Sequence, residues 1–130
     1  MGAETYTGAE ASRASYKAIF HIDGDAGSAM KKTVGNINNL LNDPRLKGKI
    51  KIELLANSKG YKIYDKNNGL EKQLLDLQSR GVILAQCNNT LNELKVDRAT
   101  LYPFISIVPS GVGELTIRQA DGWAYIHPSP

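Results

Sequence analysis

The sequence predicts an α/β protein, a three-layer α/β/α sandwich built around a five-stranded, mostly parallel β-sheet. Three observations indicate this fold. Short apolar runs alternate with helical patterns five times along the 130 residues. No hairpin pattern, in which two strands flank a two-residue turn, interrupts the alternation, so consecutive strands need helical crossovers. The second strand ends in a run that is apolar throughout, which is typical of a strand covered on both faces.

The first strand is predicted over residues 16–22, because turn-forming residues follow it at 23–27. Ser28 is the expected N-cap of the next helix, over 29–41. Its apolar residues recur at helical spacing, at Met30, Val34, Ile37, Leu40 and Leu41. The sequence Asn-Asp-Pro then ends this helix, since proline cannot continue it.

The second strand is predicted over residues 49–56. It is polar at two lysines and at Glu53 before its apolar end, so we expect its C-terminal half to be buried on both faces. A loop is expected over 57–60. A second helix, over 70–80, carries leucines along one stripe and stops at Gly81, because glycine is favoured just after a helix.

The second half of the chain continues the alternation. We expect a third strand over 82–86 and a short helix from about 90 to 95. A fourth strand is predicted over 105–108, followed by a helix over 112–120. The fifth strand is predicted over 123–126, before a proline-rich tail.

Length and composition indicate one globular domain. A chain of 130 residues that is 42% hydrophobic and 22% charged is long enough to bury its own core. We therefore assign residues 16–130 to a single domain, preceded by a disordered segment over 1–15. One cysteine excludes an internal disulfide. No apolar stretch reaches the length of a membrane span, so we predict no membrane partner and a cytoplasmic protein, or an exported one if a signal peptide has been removed.

The net charge of +3 has a local source, since seven of the sixteen Lys and Arg residues lie between Arg45 and Lys66. No aromatic ladder, zinc-ligand spacing or recognition-helix pattern accompanies these residues, so we predict no nucleic-acid partner. A solvated basic rim is the expected role of this region. Attraction of an acidic protein or a small anion is the alternative.

Cys87 lies where the third predicted strand meets a turn rich in helix-capping residues. Its thiol is thus expected beside a helix N-terminus, where backbone N–H groups favour a thiolate. Packing in the core is the alternative role of a lone cysteine. Ligands gather at the C-terminal ends of parallel strands, so residues that follow the strands belong to the same predicted cleft. These supporting residues are His21, Asn57, Ser58, Asn88, Asn89, Thr90, Gly111, Val112 and Gly113.

No metal site is predicted. His21, Asp23 and Asp25 alternate in a way that places ligands on one side of a strand end. Three ligands without a fourth favour a capping loop instead. His21 is the histidine of the predicted cleft, whereas His127 lies in the tail, and a surface role is expected for both.

No cofactor is predicted either. Gly111 and Gly113 resemble the start of a dinucleotide fingerprint, but Thr116 replaces the next glycine and the pattern follows the fourth strand. The helix that begins there still suits a small anion. Residues 88–90 match a glycosylation sequon in form, and a turn with a helix cap is the favoured interpretation.

Three motifs together resemble the DsrE/DsrF-like family of small single-domain proteins. They are GVILAQCNNTL at 81–91, VPSGVGEL at 108–115 and GWAYIHP at 122–128. The resemblance extends from about Tyr16 to Pro128. It implies a five-stranded α/β/α domain, flavodoxin-like in outline, that assembles into a homo-oligomer, a trimer or a hexamer.

The best-understood members of that family are sulfurtransferase subunits that carry sulfur as a persulfide on a cysteine. The resemblance assigns this position to Cys87, with Asn89, Thr90 and Leu91 completing the family's Cys-x-Asn-Thr-Leu turn. Asn88 stands where glycine is frequent, and we expect its side chain to narrow access to the thiol. The implied function is a sulfur carrier that is loaded by a donor and passes sulfur to a partner protein's thiol. His21 is expected to assist proton movement, and Asn89 and Thr90 to cap the helix.

Two other functions stay open. One is a non-enzymatic oligomeric module that binds a nucleotide or small anion and in which Cys87 only packs. The other is a structural subunit that docks on a catalytic partner. A carrier needs an accessible cysteine of low pKa, whereas the module tolerates alanine or serine there. An apolar patch near the later strands, formed by Tyr102, Phe104 and Trp123, is expected to be covered by oligomerisation.

Overall fold

A computed structural model describes residues 5–129 of the chain. Within that range the strands are β1 (Tyr16–Ile22), β2 (Ile50–Ala56), β3 (Ile83–Cys87), β4 (Ser106–Val108) and β5 (Ala124–Ile126). The α-helices are α1 (Gly27–Asn42), α2 (Glu71–Ser79), α3 (Asn88–Glu93) and α4 (Gly111–Ala120), and short 3₁₀ helices cover Ser58–Tyr64 and Arg98–Thr100. Among the helices of residues 5–129, none is long and apolar enough to cross a membrane.

The five strands form one sheet in the order β4-β3-β2-β1-β5, and every neighbouring pair is parallel. The central pair is in register over its full length, from Tyr16 opposite Ile50 to Ile22 opposite Ala56. The predicted α/β fold with a five-stranded sheet is therefore confirmed. Because all strands run the same way, their C-terminal ends meet at one edge of the sheet.

The two faces of the sheet carry separate clusters of buried side chains, since successive strand residues point to opposite faces. One face packs against α1 and α2 and holds the larger cluster, which includes Phe20, Leu54 and Leu84. The other face packs against α4 and holds a small cluster of Ile19, Leu55, Ala85, Leu115 and Trp123. We call this second side the α4 face.

Two local predictions are wrong. Helix α1 begins at Gly27 with Ala26 as its N-cap residue, and no side chain caps it. Ser28 therefore lies inside the first turn and is not the cap. The expected loop over 57–60 is mostly the beginning of the 3₁₀ helix Ser58–Tyr64.

Residues 5–15 belong to the segment that composition predicts to be disordered, and they are anchored to the loop before β2. Arg45 Nη1 donates to the carbonyl of Ala9 at 3.1 Å. Lys49 Nζ donates to the carbonyls of Ala11 and Arg13 at 2.8 and 3.1 Å. These basic side chains hold a stretch that has few apolar residues of its own. Residues 1–4 of the segment lie outside the described residues.

The exposed apolar side chains are not the ones that the sequence predicts. Tyr102 and Trp123 are buried within the single chain, and Phe104 is half-buried and stacks on Tyr102. The prediction that these residues form an exposed patch is therefore wrong. The large apolar side chains exposed on α4 and β5 are Val112, Ile117 and Tyr125, at 66%, 59% and 43% exposure.

Candidate functional site

The C-terminal edge of the sheet brings three polar or reactive side chains to the α4 face. His21 lies in β1 opposite Leu55 of β2, and Leu55 lies opposite Ala85 of β3. Asn57 and Cys87 each come two residues further along their strand direction, so they share the face of Leu55 and Ala85. The alternation of strand residues thus places His21, Asn57 and Cys87 at one edge.

Cys87 is the last residue of β3 and the N-cap residue of α3. Its Sγ accepts hydrogen bonds from the backbone N–H of Thr90 at 3.4 Å and from that of Gly111 at 3.1 Å. The cysteine itself therefore caps α3, and the prediction that Asn89 and Thr90 cap this helix is wrong. Sγ also accepts a hydrogen bond from Gly111, the first residue of α4, which is distant in the sequence.

The surroundings of Cys87 favour its thiolate. Burial is the largest single effect and raises the pKa of this thiol. Hydrogen bonds from the Thr90 side chain and from the backbone of Thr90, Gly111 and Asn89 lower the pKa, and their combined effect is larger than that of burial. The net result is a pKa below the ordinary thiol value. The residue is nonetheless only 4% exposed, so the accessible thiol expected of a carrier is not present in this conformation.

Thr90 of α3 and Ser58, which follows β2, form a hydrogen bond beside the cysteine. The backbone N–H of Ser58 donates to Thr90 Oγ1 at 2.8 Å. This bond holds Ser58 at a φ of +49°, in the left-handed region that residues with a side chain rarely adopt. Because the hydroxyl oxygen accepts from Ser58, its hydrogen is free to point at Cys87, in agreement with the lowered pKa of the thiol.

Gly111 allows the close approach of α4 to the cysteine. A Cβ atom at this position would lie 3.1 Å from Asn57 Cβ and 3.2 Å from Cys87 Cβ. Ser110 caps α4, since its Oγ accepts from the backbone N–H of Gly113 at 3.0 Å. Val112 points away and is exposed, so its side chain takes no part in the site.

The two asparagines that follow the cysteine face elsewhere. Asn88 Oδ1 accepts a hydrogen bond from Arg98 Nη2 at 2.6 Å, and Asn89 is exposed. Gly111, whose N–H touches Sγ, covers the thiol. The expectation that the Asn88 side chain narrows access to the thiol is therefore not what the geometry shows.

His21 is buried and hydrogen-bonded at both ring nitrogens, so the surface role expected for it is wrong. Its Nε2 lies 2.8 Å from Asn57 Oδ1, and its Nδ1 lies 2.7 Å from the Tyr125 hydroxyl. An amide oxygen only accepts, so Nε2 carries the proton and Nδ1 accepts from Tyr125. These bonds commit the ring to Asn57 and Tyr125, and any proton path from His21 to Cys87 would be indirect.

A second group of side chains lies beside His21. His127 directly follows β5, and its Nε2 lies 2.8 Å from Asp23 Oδ1. One ligand atom each from His21, Asp23 and His127 fall within 4.8 Å of one another. Asp25, which alternates with them in the sequence, does not belong to this group. Sequence reasoning missed His127 because nothing local shows that β5 pairs with β1.

Comparison with known proteins shows the fold and one relative. No protein-family model and no curated protein matches the sequence. The solved structure of MTH1491 from Methanobacterium thermoautotrophicum is similar, with a TM-score of 0.80 and 34% identity over 87% of this chain and 99% of that chain. The structure of BT1422 from Bacteroides thetaiotaomicron has a TM-score of 0.67 and 15% identity over 86% of this chain and 94% of that chain, which shows the fold alone. Both are proteins of unknown function, so neither tests the predicted resemblance to the DsrE/DsrF-like family.

Proposed function

We propose that this chain, which belongs to the same protein family as MTH1491 of Methanobacterium thermoautotrophicum, is a sulfur carrier that holds sulfane sulfur as a persulfide on Cys87. One observation carries the proposal. Backbone N–H groups at the starts of α3 and α4 both donate to Cys87 Sγ. Such donors stabilise a thiolate, which is the nucleophilic form of cysteine.

Loading is an exchange between two sulfur–sulfur bonds. The Cys87 thiolate attacks the outer sulfur of a persulfide or polysulfide donor. The new bond joins Sγ to that sulfur, the donor's sulfur–sulfur bond breaks, and the donor leaves as a thiolate with the electron pair. No further oxidant or reductant enters the balance. Unloading reverses these roles, because an acceptor thiolate takes the outer sulfur and Cys87 leaves as the thiolate.

The same hydrogen bonds serve both directions of transfer. When Cys87 is the leaving group, negative charge returns to Sγ, where Thr90 and Gly111 already donate. A thiol of lower pKa leaves faster, so the lowered pKa of Cys87 supports release to an acceptor. The chain has one cysteine, so the acceptor thiol belongs to another molecule.

Burial of the thiol restricts the donor. At 4% exposure, Cys87 admits a small reagent only if the start of α4 moves aside. We therefore infer that small polysulfides load the site more readily than bulky persulfides do. A reducing compartment keeps such a thiol free, which suits a cytoplasmic location.

The test is the intact mass of the reduced protein after incubation with polysulfide. We expect a gain of ~32 Da, one sulfur atom, that dithiothreitol removes and that the Cys87→Ser variant lacks. Circular dichroism of the variant controls for folding. A gain of sulfur by Cys87→Ser, or no gain by the wild-type protein, would contradict the proposal.

The burial of the thiol is the one observation that favours the alternative, a non-enzymatic module for a nucleotide or small anion in which Cys87 only packs. In that case native Cys87 resists both polysulfide and small alkylating reagents, and Cys87→Ser keeps the ligand affinity. The α4 N-terminus offers limited room for an anion, because the N–H groups of Gly111 and Gly113 already bind Cys87 Sγ and Ser110 Oγ. This arrangement supports the carrier over the module.

Assembly into a trimer or a hexamer is part of the proposal. The resemblance to the DsrE/DsrF-like family implies it. The exposed side chains of Val112, Ile117 and Tyr125 support it, because they give α4 and β5 an apolar surface. Donor and acceptor proteins are the other expected partners.

A further inference from the structure

The group formed by His21, Asp23 and His127 lies at the edge of the sheet where β1 and β5 end. The rings of the two histidines have centroids 5.4 Å apart and meet at 68°, edge to face. His127 Nε2 is already 2.8 Å from Asp23 Oδ1. One ligand atom from each residue lies within 4.8 Å of the other two, which is close enough for all three residues to reach a single ion.

The three ligand atoms favour a particular class of metal ion. Two imidazole nitrogens and one carboxylate oxygen suit zinc and neighbouring first-row divalent metals, whereas calcium and magnesium prefer oxygen ligands alone. Three protein ligands leave a fourth position of a tetrahedral ion open for water or a small molecule. We propose that His21, Asp23 and His127 form a binding site for Zn²⁺.

The surroundings of His21 prepare it as a ligand. Metal-bound histidines commonly donate their second ring N–H to a protein oxygen, which fixes the tautomer and the ring orientation. Asn57 Oδ1 accepts from His21 Nε2 at 2.8 Å and fills this role. The lone pair of Nδ1 then remains for the ion. In the structure it accepts from the hydroxyl of Tyr125, which is 43% exposed, so an ion at Nδ1 would replace this hydrogen bond.

The two remaining ligands border open space. Asp23 and His127 line a cavity of about 240 Å³ beside the start of α1. Asp25 and Pro128 also line it. A cavity of this size has room for several water molecules or one small metabolite next to the open position of the ion. The three residues of this group are distinct from Thr90 and Gly111, which donate to Cys87 Sγ.

Titration calorimetry of the full chain, first stripped of metal with a chelator, tests this site with ZnCl₂. We expect one equivalent of Zn²⁺ to bind. The His127→Gln variant should weaken binding by about tenfold or more. His127 is exposed, so this change leaves the core intact, and Asp23→Asn gives a second ligand variant. The matched control is Glu93→Gln, which removes an exposed carboxylate of α3 outside the group and its cavity and should leave the affinity unchanged.

A second measurement shows whether the Cys87 thiolate is one of the ligands. Co²⁺ in place of Zn²⁺ should give the visible absorption of a tetrahedral ion without the charge-transfer band of a thiolate ligand. Cys87→Ser should bind Zn²⁺ as the wild type does. The site is excluded by failure of the wild-type protein to bind Zn²⁺, by full affinity in both ligand variants, or by loss of binding in Cys87→Ser, which would place the ion on the thiol.

Discussion

Among the individual residues, Glu53 is unusual because its carboxyl group is fully buried on the α4 face. Arg118 Nε donates to its Oε1 at 2.8 Å, whereas Oε2 has no hydrogen-bond partner in the part of the chain that is described. Burial, together with the nearby carboxyl group of Glu114, raises the pKa of Glu53 to about 7, and Arg118 lowers it by less. The buried group therefore keeps its proton under conditions where an exposed glutamate loses it.

This raised pKa predicts how stability depends on pH. Between about 4.5, where an unfolded glutamate ionises, and about 7, the folded protein holds a proton that the unfolded chain has released. The free energy of unfolding should therefore fall as pH rises through this window, by on the order of 2 kcal/mol from Glu53. The Glu53→Gln variant, which keeps the shape and a neutral side chain, should lose this slope.

Urea unfolding of both proteins at a series of pH values measures the effect. Glu93→Gln serves as the control, because Glu93 is exposed. Equal slopes for wild type and Glu53→Gln would show that Glu53 is ionised in the folded state throughout the window.

Residue-scale prediction from the sequence succeeded for neighbours in the chain and failed for distant ones. The turn after Cys87 indicated a helix N-terminus, and Thr90 does donate to the thiol. The predicted strand that contains Glu53 also contains two lysines, and nothing nearby in the sequence indicated that Glu53 is buried against Arg118. Contacts of this second kind depend on which helix covers the face of the sheet.

Among the secondary-structure elements, the 3₁₀ helix Ser58–Tyr64 packs closely against the end of β1 because residue 60 is glycine. A Cβ atom there would lie 2.1 Å from the carbonyl oxygen of Ile22 and 2.9 Å from the Cα of Asp23. Both are backbone atoms, which cannot turn away as a flexible side chain can. The close crossing places Asn57 beside His21.

Replacement of Gly60 by alanine should therefore lower stability by about 3 kcal/mol, because the added methyl group forces two backbone segments apart. Gly35→Ala is the matched control. Gly35 lies in the middle of α1 with open space at its Cβ position, so alanine should raise stability by up to about 1 kcal/mol. Chemical denaturation followed by circular dichroism measures both changes. A loss below ~1 kcal/mol for Gly60→Ala would show that the backbone yields at this crossing.

At the scale of the whole molecule, the two faces of the sheet are covered unequally. Helices α1 and α2 cover one face, whereas the small cluster of the other face lies under α4. Val112 and Ile117 project outward from α4, and Tyr125 is exposed on β5. An oligomer that buries this side would complete the covering of the sheet.

This surface gives a test of assembly. Light scattering after gel filtration should report the mass of a trimer or a hexamer for the wild-type chain. Ile117→Asp should yield smaller species, because an aspartate at the interface would be buried without a partner. Leu75→Asp is the control, since Leu75 is 42% exposed on α2 at the opposite face. A monomeric wild type, or equal effects of the two substitutions, would contradict assembly through α4.

The sequence alone predicted the order of the strands and α-helices and the position of Cys87 at the end of a strand, but not the 3₁₀ helix Ser58–Tyr64. These features follow from local periodicity and capping residues, which act between neighbours in the chain. The strand order β4-β3-β2-β1-β5 could not be predicted in this way and is known from the folded sheet. That order brings Gly111 to Cys87 and His127 to Asp23, over separations of 24 and 104 residues. Strand pairing depends on packing of the whole sheet against its helices, which no short stretch of sequence encodes.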